Sequence, residues 1–108
     1  MPVMAIYQSD AVTADQYADF RARLPLTAAP HGALVHAHGG TDKGFVTFEV
    51  WEDRAALQSF LDDVLWPAVK SMGLPLVQPA VIEVDDFVVT QGVHGREIPY
   101  GLLGAVPA

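Results

Sequence analysis

The chain has 108 residues, 51% of them hydrophobic and 18% charged, with a formal net charge of −7 and no cysteine. That length suits one domain able to bury a core. The six basic residues are scattered, leaving no cluster for nucleic acid and no basic amphipathic helix for an anionic membrane. The missing thiols exclude disulfides, thiolate catalysis, Cys-ligated zinc and iron–sulfur clusters.

No apolar run reaches the ~18 residues of a membrane span. The opening stretch Met1–Tyr7 lacks the basic segment of a signal sequence, so a cytoplasmic protein is expected. Residues 3–8 (VMAIYQ) are β-prone and predict a first strand. Thr13 then starts a helix, with Gln16 at capping-box spacing. Tyr17, Phe20 and Leu24 mark its apolar face; Asp15, Asp19, Arg21 and Arg23 are assigned elsewhere on it. Pro25 stops it.

Residues 33–38 (ALVHAH) predict a second strand, 39–44 a turn by composition, and 45–51 (FVTFEVW) a third strand. Asp53 caps a second helix from Arg54, whose apolar positions Leu57, Phe60, Leu61, Val64, Leu65, Ala68, Val69 and Met72 repeat at helical spacing. Pro67 predicts a perturbation near residues 64–66, and Gly73 is the expected C′ residue. Residues 80–89 (AVIEVDDFVV) predict a fourth strand. Its alternation groups Glu83, Asp85 and Phe87 against Ile82, Val84, Asp86 and Val88.

The order β-α-β-β-α-β predicts an α+β, ferredoxin-like split βαβ domain over residues 1–89, a four-stranded antiparallel sheet with two helices on one face. The other sheet face is left uncovered, which predicts a homodimer packed sheet against sheet. Residues 90–108 are rich in Gly and Pro yet carry Ile98, Tyr100, Leu102, Leu103 and Val106. They predict a C-terminal arm lying on a partner or across a cavity mouth.

The stretch GFVTFEVWEDRAALQSFLDDVLWPAV, with Trp51-Glu52-Asp53 running into Ala56, Leu57 and Phe60, resembles the antibiotic biosynthesis monooxygenase (ABM) group of the dimeric α/β-barrel superfamily. The resemblance spans about residues 3–89. It implies a dimeric barrel, and among its activities cofactor-free oxygenation of polycyclic phenols and haem degradation. The Asn associated with those activities has no counterpart, since the chain contains no Asn, and residues 54–72 hold no His for haem. No cofactor and no metal are expected.

His36 and His38 sit two apart on a predicted strand and so share a face. A tight turn at Thr41-Asp42 would pair His36 with Thr47 and set Glu49 on that face. A type I turn with a Gly44 bulge would set both histidines against Val46, Phe48 and Val50. Two imidazoles could hold a metal with Glu49, Glu83 or Asp85 as a third ligand, handle protons, or be core residues. The expected catalytic residues are His36 and Glu49. Tyr17, His38 and Trp66 are expected to contact a small apolar or aromatic ligand, and Arg96, on the arm, to meet an anionic oxygen. The expected function is an ABM-like enzyme, a cofactor-independent monooxygenase abstracting a proton from aromatic or polyketide-like compounds. The alternatives are a polyketide cyclase or isomerase, and a non-catalytic dimeric ligand-binding protein.

Overall fold

The computed structural model describes residues 1–24, 26 and 28–93. Strand β1 (Val3–Ser9) leads into helix α1 (Ala14–Arg23) and then a hairpin of β2 (Ala33–Thr41) and β3 (Gly44–Trp51). A second helical stretch follows as α2 (Arg54–Phe60), a π-helical turn (Leu61–Leu65) and α3 (Trp66–Ser71), before strand β4 (Ala80–Glu83). The sheet order is β2-β3-β1-β4 with every neighbouring pair antiparallel, the ferredoxin-like arrangement.

Local signals explain the helix boundaries. Thr13 Oγ1 accepts the Gln16 N–H at 3.0 Å, and Gln16 Oε1 accepts the Thr13 N–H at 2.9 Å, closing the capping box. α1 ends into extended backbone at Leu24; Pro25 lies outside the described residues. Asp53 Oδ1 caps α2 through the Ala56 N–H at 2.8 Å. Pro67 offers no N–H to the carbonyl four residues back, and the helix absorbs this by widening into the π turn just ahead of it. α3 closes in a Schellman motif. The Leu74 N–H donates to Val69 O and the Gly73 N–H to Lys70 O, with Gly73 at φ 68°.

Two strand boundaries differ from expectation. β2 runs on through Gly39, Gly40 and Thr41, so only Asp42 and Lys43 turn. Gly40 fits there because a Cβ would strike the Ala14 side chain, so the missing side chain lets α1 approach the strand. β4 spans four residues rather than ten. It can pair only as far as β1 reaches: Glu83 faces Val3, and beyond that pair the Val84 N–H bonds to Pro2 O. Proline has no N–H to return a ladder bond, so pairing stops.

Cross-strand partners assign the faces. Val3, Ala5, Tyr7, Phe45 and Trp51 are buried with Ala56, Leu57, Phe60 and Leu61 of the second helical stretch. Met4, Ile6, Val35, Phe48 and Ile82 point the other way, where none of the described helices packs. A smaller core of Phe20, Leu24 and Val69 joins α1 to α3. The C-terminal arm expected over residues 90–108 shows a short 3₁₀ turn, Gln91–Val93; the rest of it lies outside the described residues.

Candidate functional site

The hairpin register decides the fate of the histidine pair. His36 faces Glu49 and His38 faces Thr47 across β2 and β3. This keeps Glu49 on the histidine face, as a tight turn would, but with the turn one residue later than Thr41-Asp42. Asp42 and Lys43 keep negative φ, so the twist mismatch of such a short turn falls on Gly44, at φ 134°. The same rows continue into β1: Glu49 faces Ala5, and Thr47 faces Tyr7. One patch of the helix-side surface is therefore polar inside an otherwise apolar layer.

A hydrogen-bonded chain runs through that patch. The indole N–H of Trp51, itself only 1% exposed, donates to Glu49 Oε1 at 3.1 Å. Glu49 Oε2 lies 3.2 Å from His36 Nδ1, and His36 Nε2 lies 3.2 Å from His38 Nδ1. The side chains of His36 and Glu49 are each 7% exposed, whereas His38 is exposed at the sheet edge that β2 forms. Burial of the ring, the neighbouring His36 and the Arg21 guanidinium together hold the His38 pKa below its ordinary value. The Tyr7 hydroxyl is buried and makes no hydrogen bond of ordinary length; burial, then the charge and hydrogen-bonding pull of nearby Glu49, pushes its pKa up and keeps its proton in place. Thr47 Oγ1 is likewise buried and unpartnered.

Above the patch lies a cavity of about 50 Å³. Tyr7 and Glu49 supply its polar floor, Tyr17 and Arg21 of α1 one wall, and Trp66 and Val69 of α3 another. Tyr17 stacks on Phe45 with ring centroids 4.7 Å apart and meets the His38 ring edge-on at 5.2 Å.

Of the residues expected at a site, the fold brings Tyr17, Trp66 and Glu49 to the cavity and sets His36 and His38 behind Glu49. Arg96 lies outside the described residues. Glu83 and Asp85 are exposed, and two strands separate β4 from β2, so neither carboxylate belongs to the histidine group. Among the described residues no three ligating side chains converge as a metal site.

Three residues escaped the sequence reading. Arg21, expected off the apolar face of its helix, is 6% exposed and faces the cavity. Its position was legible: Tyr17, Phe20, Arg21 and Leu24 fill the i, i+3, i+4, i+7 stripe, with a guanidinium in an apolar slot. Tyr7 follows Val3 and Ala5 on the buried alternation of β1. Trp51 orients Glu49 two residues away on the same face.

No family model matches the chain, and no curated protein matches it. Among solved structures, it is similar to a mutant of SnoaB, a cofactor-independent oxygenase from Streptomyces nogalater, at a TM-score of 0.46 and 16% identity, covering 81% of this chain and 94% of that one.

Proposed function

We propose that the protein is a small-molecule enzyme of the ABM type that works by proton abstraction, with Glu49 as the base. The carrying observation is the unbroken chain from Glu49 in the cavity through His36 to exposed His38. A carboxylate has about four acceptor positions, and Trp51 and His36 occupy two of those on Glu49, leaving acceptor capacity for a substrate hydrogen. With Glu49 ionised, His36 donates from Nδ1 and accepts at Nε2 from His38 Nδ1–H. Release of a substrate proton runs outward with both rings carrying hydrogen at Nε2: Glu49 gives its proton to His36 Nδ1, His36 Nε2 gives one to His38 Nδ1, and His38 Nε2 gives one to solvent, after which both rings return to the Nε2 tautomer before the next turn. The two rings thus connect a buried base to the sheet edge, and His38 is the group that exchanges with solvent.

The apolar and aromatic lining suits an aromatic or polyketide-like compound. The cavity volume admits a compact molecule, or the reacting end of a larger one whose body stays outside. Cofactor-independent monooxygenation is the activity we assign: O₂ adds to the carbanion that proton removal leaves, and the resulting hydroperoxide loses water to leave a carbonyl, so the substrate itself supplies the electrons that reduce the second oxygen atom. Cyclisation or isomerisation is the outcome if no oxygen is consumed. We further propose a homodimer formed through the apolar sheet face of Met4, Ile6, Val35, Phe48 and Ile82.

The test is hydrogen–deuterium exchange at the acidic position of phenolic and 1,3-dicarbonyl compounds, followed by NMR in D₂O alongside oxygen uptake. Glu49→Gln is expected to lower exchange by about 10²-fold or more. Wild-type rates in the variant would remove Glu49 from the mechanism.

A further inference from the structure

Glu49 does not sit alone in the cavity. The other titratable side chains in its lining are Tyr7, Tyr17 and Arg21. Arg21 is 6% exposed, and Tyr7 is 5% exposed, its hydroxyl beside Glu49 but making no hydrogen bond of ordinary length. A buried phenol hydroxyl without a hydrogen bond of ordinary length gains one when a ligand oxygen comes within reach. One cavity therefore holds a cation, a neutral donor and a base.

We propose that Arg21 and the Tyr7 hydroxyl form an oxyanion pocket facing Glu49, and that the substrate is a neutral phenol or enolisable ketone whose oxygen takes up the negative charge. The proposal rests on reading Glu49 as the base. Charge balance selects the substrate class. Before reaction the cavity holds a positive Arg21, a negative Glu49 and a neutral substrate. The proton then passes from the substrate C–H or O–H to a Glu49 oxygen. The bonding electron pair stays on the substrate and its charge settles on oxygen. The cavity then holds a positive Arg21, a neutral Glu49 and an anionic substrate, so its total charge is unchanged. A substrate that entered already anionic would face Glu49 as a second negative charge and gains no such balance. The donors stand ready where charge develops, which is how an oxyanion pocket lowers a barrier. Tyr7 remains a donor through this, since its surroundings hold its proton on.

The experiment titrates 4-nitrophenol bound to the Glu49→Gln variant, where a bound phenolate meets no second negative charge, and follows the phenol and phenolate absorption bands. The bound probe is expected to ionise at least about one pH unit below the free phenol, a tenfold change in its ionisation constant. Arg21→Met is expected to return ionisation to the free value while binding persists, and Arg21→Lys to restore part of the shift. Tyr7→Phe removes a single oxygen and keeps the ring, so it should leave the fold intact and reduce the shift; it decides the matter if Arg21→Met does not fold. A bound probe that stays neutral, an ionisation indifferent to these substitutions, or no binding at millimolar probe overturns the proposal. Failure of the base reads out separately. Exchange that survives Glu49→Gln condemns the base, whereas an unshifted phenol with exchange still lost in that variant condemns the oxyanion pocket alone.

Discussion

At the scale of single residues, the site depends on polar groups placed where apolar ones would ordinarily go. Arg21 in an apolar helical slot and Tyr7 at the end of a buried strand face are both breaks in an otherwise regular pattern, and both were readable once that pattern was written out in full. The His36–Glu49 contact was not readable, because a two-residue change of register still satisfies the same alternation and only the turn fixes the choice. His38 carries a prediction. Its folded pKa lies below the ordinary value of 6.5, so above that pH both folded and unfolded chains hold it neutral and it costs nothing. As pH falls below 6.5 the unfolded chain takes up the proton first, and stability declines until the folded pKa is passed. Melting temperatures measured from neutral pH downward should therefore fall less steeply for His38→Ala than for the wild type. Identical slopes would show that His38 is not held neutral by its surroundings.

At the scale of elements, both helices were legible nearly end to end, since capping residues, a proline and a C′ glycine act within a few residues of where they stand. The strands were less so. β4 is cut short by the end of its neighbour β1, a partner some eighty residues away in sequence that local composition does not report. The hairpin turn was misplaced because Gly39 and Gly40 look like turn residues. Gly40 serves instead to admit α1, and the strain of the turn sits on Gly44. Gly44→Ala would put a Cβ against Ser9 O at φ 134°, a backbone conformation L side chains rarely adopt. It should destabilise the protein by about 2 kcal/mol or more, read from denaturant unfolding. Gly39→Ala, where a Cβ meets nothing, should cost far less. Equal losses for the two would mean that the register is not held at Gly44.

At the scale of the whole molecule, the two faces of one sheet have different tasks. The helix-side face combines the core with the polar patch; the opposite face is apolar from β2 across to β4. None of the described helices packs over it, and the dimer we propose would. Light scattering should return a mass about twice the 11.6 kDa of the chain. Phe48→Asp should give a monomer with the circular dichroism of the wild type. A monomeric wild type at micromolar concentration would contradict the sheet-to-sheet dimer. Topology was the most legible level of all, because element order and hydrophobic period nearly determine it.

The π turn between α2 and α3 has a consequence for how the cavity can change. Each residue advances an α-helix by about 100°, so a widened turn sets the azimuth of everything that follows it. Trp66 and Val69 point where they do because the turn that Pro67 opens at residues 61–65 holds one residue more than an α turn would. Loss or gain of one residue would swing the whole of α3 like a key in a lock, turning one cavity wall away from Glu49 and presenting another in a single step.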